Sequence, residues 1–199
     1  MQSHSSLLRT QNLTKIGILG ALSFLVMRAL EIPLPIFPSF LKIDFGDVPA
    51  VIATFVINPY AGLVVVGIKN LLALMNSTSS GIGEIANVLM GIAFILPIAL
   101  LTKKHYSFKR VISGCSIGII MMIIAAMITN ALLTMPLFGE EACIQMGAAI
   151  NPLIHDKWTF LLYIIAPFNL IKGIVVTIAS LVIVKAMQPV FKYLRVKQA

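Results

Sequence analysis

From Trp158 to Val184 the chain runs apolar for longer than a soluble helix needs, and it carries a lysine in the middle of that run. An apolar stretch of about eighteen or more residues reads as a membrane-spanning helix. A charge at the centre of such a helix costs at least about 2.5 kcal/mol, so Lys172 must face the inside of a bundle and find a partner. Asn169 precedes it by three positions and shares its helix face. Pro167 has no N–H and leaves the carbonyl of Tyr163 short of its usual partner. Three polar features therefore meet in Pro167-Phe168-Asn169-Leu170-Ile171-Lys172-Gly173. These residues leave two readings open: a buried ligand site, or a lysine–carboxylate pair that holds the bundle together.

The composition extends that constraint to the whole chain. Of 199 residues, 59 % are hydrophobic and 11 % charged, the profile of a polytopic membrane protein. No large soluble domain fits between the apolar runs, so residues 1–199 read as a single integral membrane domain. The net charge of +8 sits beside apolar runs, where Lys and Arg set topology, and does not point to nucleic acid. The polar segment 1–12 lacks a cleavage site before a short apolar core, so no signal peptide is expected. Cys115 and Cys143 are expected near opposite membrane faces and unpaired, and no CxxC or His/Cys cluster suggests a metal.

The first span is expected at about Ile16 to Ile32. A proline-rich loop follows, 33–47, in which Pro33, Pro35 and Pro38 forbid regular helix. Asp47 can cap the next helix, with Pro49 in its first turn. The segment Val48 to Lys69 is either one span or two short helices broken at Asn58-Pro59. The positive-inside rule decides between them. Basic residues cluster in the N-terminal segment, in Lys103 to Arg110, and in the tail 188–199 with the adjacent Lys185. If all three clusters are cytoplasmic, an even number of crossings separates residue 15 from residue 103, which requires the break. With spans near Ile82 to Leu101, Val111 to Pro136 and Trp158 to Val184, the expected fold is all-α: six transmembrane helices with both termini cytoplasmic. Segment 139–157 is then external, like the loop 33–47.

This topology converts sequence position into depth. Asn130 lies roughly 9 Å from the outer end of the fifth span, and Asn169 and Lys172 roughly 16–21 Å below Trp158. Glu84 and Asn87, spaced i, i+3, fall in the first turns of the fourth span, and Lys69 and Asn70 in the outer half of the third. The cytoplasmic half is almost wholly apolar, so a cup open to the outside with a closed floor is expected. Asn130, Asn169 and Lys172 together could read an acceptor–donor–acceptor edge such as a cyclic imide, because Asn both donates and accepts while Lys only donates. Phe37, Phe40, Phe45 and Phe168 could wall a ring-containing metabolite. Other polar residues have structural readings. Lys69 and Glu84 could be an ion pair, Arg28 and Glu31 read as an exposed or snorkelling pair, and Asp44 and Asp47 read as loop caps.

Enzymatic and ATP-binding signatures are missing. Gly62-x-x-x-x-Gly67-Ile68-Lys69 has an extra residue before the lysine and lies in an apolar helix. Glu140-Glu141-Ala142-Cys143-Ile144-Gln145 has glutamine where an intramembrane protease motif needs arginine.

Four stretches occur in order: Leu41-Lys42-Ile43-Asp44-Phe45-Gly46-Asp47-Val48-Pro49, Ile68-Lys69-Asn70-Leu71-Leu72, Gly83-Glu84-Ile85-Ala86-Asn87, and Pro167 to Gly173. Together they resemble the riboflavin-specific substrate-binding (S) components of energy-coupling factor (ECF) transporters, the RibU family. The resemblance implies a multi-pass protein of the bacterial cell membrane that captures riboflavin from outside. It implies partnership with a membrane coupling protein and two ATPases, riboflavin as transported ligand, and no cofactor or enzymatic activity. It implies that Asn130, Asn169 and Lys172 hold the ring edge and that the loop around Leu41 and Lys42 covers the ligand. Phe45, Glu84 and Asn87 are further ligand candidates. Gly46 stands where serine is common, and Lys42 where a neutral residue is expected, which opens a phosphorylated flavin as ligand. Another vitamin, or a self-sufficient carrier coupled to protons through Glu84 or Lys172, are the alternatives. Gly17 and Ala21, four apart on the first span, form a small-residue face near its cytoplasmic end. That face fits an internal helix contact or, as the resemblance implies, docking onto the coupling subunit.

Overall fold

The computed structural model describes residues 7, 9–103 and 107–196. Lys104 of the central basic cluster, Lys197 of the tail and most of the N-terminal segment before residue 9 lie outside the described residues.

Among the described residues, seven helices and one small β ladder make up the fold. Helix α1 is Thr10–Ala29. Its buried residues Asn12, Ile16, Gly20, Ser23 and Met27 recur every three or four positions, so one narrow stripe faces inward. The opposite side exposes Leu13, Ile18, Leu22 and Leu25, a surface suited to lipid. After α1 the chain forms β1, Ile32–Pro33, and returns as β2, Lys42–Ile43, the two paired antiparallel with Ile32 opposite Ile43.

Helix α2, Asp47–Val56, is buried on almost every side, as an all-round apolar helix must be. It touches α1, α3 (Ala61–Leu74), α4 (Ile82–Thr102) and the last helix. The break at Asn58-Pro59 forms as expected, with the Asn58 side chain accepting the Tyr60 N–H. Lys103, just after α4, donates to the Tyr60 hydroxyl at 2.9 Å. The break therefore sits at the end of the bundle where α4 finishes. The other end holds the β ladder and the 75–81 turn that starts α4. Helices α2 and α3 run in opposite senses between these two ends, although with 10 and 14 residues each is shorter than a full span.

Helix α5 is Phe108–Phe138 and includes a π turn, Asn130–Thr134. Helix α6, Glu140–Ala148, follows at once because Gly139 takes φ +97, a conformation that glycine adopts without strain. Helix α7 starts at Lys157, behind an Asp156–Thr159 capping box, and runs to Val196 through a second π turn, Leu161–Ile165. Among the described residues, four helices, α1, α4, α5 and α7, are long and apolar enough to cross a membrane.

Close backbone approach fixes the bundle. A Cβ on Gly118 would lie 2.5 Å from the Phe94 carbonyl oxygen, and one on Gly114 would lie 2.8 Å from the Ile98 Cα. Gly114 and Gly118 are thus a small-xxx-small contact between α4 and α5. Gly20 lies against the Ile68 side chain of α3, whose Cγ2 would stand 2.5 Å from a Cβ there, and supplies an internal contact of α1. Gly17 has nothing within 4 Å of its Cβ position, and Gly17 and Ala21 are both exposed.

Candidate functional site

Both π turns have a common cause. Pro136 follows the first by two residues, and Pro167 follows the second by two. A proline within a helix cannot donate and its ring clashes with the carbonyl four residues back. Widening each turn relieves that clash. The two π turns touch each other, at the end of the bundle where the loop 33–47 folds over.

A cavity of about 520 Å³ opens here, within the size range of small-molecule sites. Its lining is mixed. Met27, Met90, Phe138, Met146 and Phe168 are among its apolar side chains. Arg28, Glu31, Asn70, Ser79, Glu84 and Asn87 are among its polar ones. Phe40, Leu41 and Lys42 reach it from the loop, and Asp44, Asn130 and Thr134 also line it.

Several bonds tie the loop to the bundle. Lys42 bonds Glu31 at 2.8 Å, and Phe37 stands edge-on to Phe168 with ring centroids 5.4 Å apart. The Ser23 hydroxyl donates to the Gly46 carbonyl. Lys172 Nζ bonds Asp44 at 2.7 Å, with both side chains only 7 % exposed. Burial alone would raise the pKa of Asp44, but the Lys172 and Lys69 cations and the Gly46 N–H hold it down at about 2.

Of the expected site residues, Leu41, Lys42, Asn130, Glu84 and Asn87 line the cavity. Asn169 and Lys172 are buried and do not line it, and Lys172 reaches it through Asp44. Asn130 and Asn169 each donate their amide N–H to a carbonyl four residues back, Ala126 and Ile165. Phe45 packs against the core cluster around α2, away from the cavity lining. Asn87 donates to Asn70 at 3.0 Å and lies 3.5 Å from Lys172 Nζ, so a polar chain runs from Asp44 to Asn70.

Some expected pairings change. Lys69 does not pair with Glu84; it pairs with Asp47 at 2.5 Å, fully buried. Glu84 instead accepts from the Ser77 and Ser79 hydroxyls. Asp47 is the first residue of α2 rather than its cap, and its carboxylate serves Lys69. Asp44 does accept the Gly46 N–H as a turn residue would, but its second oxygen takes Lys172. Both buried lysines therefore find their counter-ions in the loop 33–47, on residues far away in sequence. Arg28 and Glu31 pair at 3.2 Å, and Lys42 joins them. Cys115 and Cys143 are both free and buried.

The model of the substrate-specific component of ECF transporters matches residues 11–184. The chain belongs to this family. It is an S component, a multi-pass protein of a bacterial membrane. This S component is 35 % identical over 184 residues to the riboflavin transporter FmnP of Bacillus subtilis, covering 89 % of this chain and 93 % of that one. It is 32 % identical over 179 residues to the riboflavin transporter RibU of Staphylococcus aureus, covering 90 % and 91 %. Its fold is similar to a solved S component of a bacterial ECF transporter, with TM-score 0.74 and 33 % identity over 92 % of this chain and 98 % of that one.

Proposed function

We propose that this S component captures riboflavin from outside the cell in the loop-covered cavity and releases it inward only when assembled with an ATP-driven coupling module. The observation that carries the reading is the cavity itself. Its apolar side chains suit a flat ring and its polar ones a polyol chain, in a chain whose relatives are named riboflavin transporters.

Charge favours the neutral vitamin over a phosphorylated one. The cavity is lined by two cations, Arg28 and Lys42, against three anions, Glu31, Asp44 and Glu84. Glu31 already takes both cations. Lys172, just behind the lining, takes Asp44, so neither cation of the lining is left unpaired for a phosphate.

Six crossings with cytoplasmic termini follow from the same reading. The Asn58-Pro59 turn lies beside Lys103 at the basic end, so α2 and α3 supply the two short crossings. The buried charges Asp44, Asp47, Lys69 and Lys172 gather toward the cavity end. That distribution supports capture without a proton path of its own. Gly17 and Ala21, exposed on the middle turns of α1, are the proposed docking face for a coupling protein; two ATPases would complete the module.

The test is reconstitution in vesicles. The S component alone should bind riboflavin without accumulating it, and uptake should require the coupling module and ATP. Accumulation driven by a proton gradient, with no ATPase present, would identify a self-sufficient carrier.

A further inference from the structure

Acidic residues are confined to one end of the bundle. Every Asp and Glu of the chain falls in 31–47, at Glu84 or in 140–156, the segments of the cavity end. Five of the Lys and Arg residues are there too, and each has an acidic partner. Arg28 and Lys42 pair with Glu31, Lys69 with Asp47, Lys172 with Asp44 and Lys157 with Glu140. All the other Lys and Arg fall in 9–15, 103–110 and 185–197. The described helix ends that carry them meet at the opposite end of the bundle. Helices α1 and α5 start there, α4 stops there with Lys103 beside the Asn58-Pro59 turn, and α7 reaches it at Lys185. That end carries no Asp or Glu to balance its cations.

Four of these cations share a geometry. Lys15, Lys103, Lys109 and Lys185 are exposed, each on a different helix end, Lys103 keeping helical backbone just beyond α4. Three residues further into the bundle, on the same helix face, stand the exposed apolar side chains Ile18, Leu100, Ile112 and Val182. A lysine placed above an apolar stripe lays its stem on the stripe and lifts its ammonium to the headgroup level of a bilayer. Lys109 and Arg110 also lie in the first turn of α5, where the helix dipole disfavours cations, so what favours them there lies outside the helix. An acidic protein segment would use the ammoniums and not the stripes. A phospholipid uses both, its phosphate on the ammonium and its acyl chain on the stripe. We infer that this end is a binding surface for acidic phospholipids, whose headgroups are held by the exposed lysines of α1, α5 and α7 and by Lys103. The inference goes beyond the transport reading and is independent of which ligand the cavity takes.

The experiment adds dioleoylphosphatidylglycerol or dioleoylphosphatidylcholine to the purified full chain in detergent micelles and follows the melting temperature. The two lipids have the same chains, so a greater rise with phosphatidylglycerol reads the headgroup. The difference should vanish near ~1 M salt, where charges are screened beyond about 3 Å. Each lysine near an acidic lipid surface contributes roughly fivefold in association. The triple variant Lys15→Gln, Lys109→Gln, Lys185→Gln should therefore melt like wild type without added lipid, yet need roughly tenfold or more phosphatidylglycerol for the same rise. Lys103 is left in place because it also holds the Tyr60 hydroxyl. The corresponding triple Lys→Arg variant keeps the charge and should respond as wild type does. Lys109→Gln alone, with a shift of roughly fivefold, carries the test should the triple variant fold poorly. Equal stabilisation of the wild type by the two lipids overturns the inference. So does inorganic phosphate that stabilises as well as phosphatidylglycerol, which would make the surface a site for free anions. A triple Gln variant that responds to phosphatidylglycerol as wild type does, but no longer copurifies with the coupling module, overturns it in favour of a protein partner.

Discussion

Lys172 reaches the cavity only through Asp44, and that changes what its removal does. The pair is buried, and breaking a buried pair by deleting one partner typically costs about 3–5 kcal/mol because the other charge is stranded. Lys172→Met should therefore lower the stability of the ligand-free protein by about that amount, as well as weakening riboflavin. Adding Asp44→Asn should recover much of the stability, since no charge is then left unpaired, but should not restore affinity. Unfolding of the two single variants and the double variant in detergent measures the coupling. Strictly additive effects, within about 0.5 kcal/mol, would mean that the two side chains do not depend on each other. The buried lysines were legible in the sequence because charges inside apolar runs announce themselves. Their partners were not: Asp44 and Asp47 look like turn residues, and only tertiary contact over 128 and 22 positions reveals what they hold.

The helices carry their own evidence of what sequence shows and hides. The break at Asn58-Pro59 was readable from proline chemistry and charge asymmetry together. The π turns were not, because Pro136 and Pro167 signal a disturbed helix without saying whether it kinks, ends or widens. Gly114 and Gly118 also carried a readable spacing, but their meaning depends on which helix lies opposite. The structure puts α4 there, with the Phe94 carbonyl against Gly118. Gly118→Ala should then cost roughly 1–3 kcal/mol, because backbone cannot move aside as a side chain can. Gly17→Ala, in open space, should cost far less. Thermal unfolding of the two variants compares them, and equal melting would contradict the close α4–α5 approach. The loop 33–47 is bound to the bundle by the β ladder, Phe37 on Phe168, and the Asp44–Lys172 bond. A ligand beneath Leu41 adds contacts to its inner face, so riboflavin should slow proteolysis within the loop. Cleavage at the same rate with and without ligand would show that it is not a lid.

In the proposed assembly, capture and coupling occupy separate places. The cavity gathers charged and polar groups at one end of the bundle, and Gly17 and Ala21 lie exposed on the middle turns of α1. Gly20 already serves the internal contact of α1 with Ile68, which leaves the Gly17 and Ala21 face free for another protein. Replacing both with leucine should leave riboflavin affinity within about threefold but abolish copurification with the coupling module. Small residues matter at such a face because packing, not hydrophobicity, drives helix association in lipid. Loss of riboflavin binding in that double variant would show instead that the face is internal. On this reading one cavity holds one neutral flavin. Equilibrium titration of the purified protein with riboflavin, with riboflavin phosphate as competitor, tests it most directly. Saturation is expected at about one riboflavin per chain with quenched flavin fluorescence, and distinctly weaker competition by the phosphate, because both cations lining the cavity already pair with Glu31. No saturable riboflavin binding, or tighter binding of the phosphate, would contradict it.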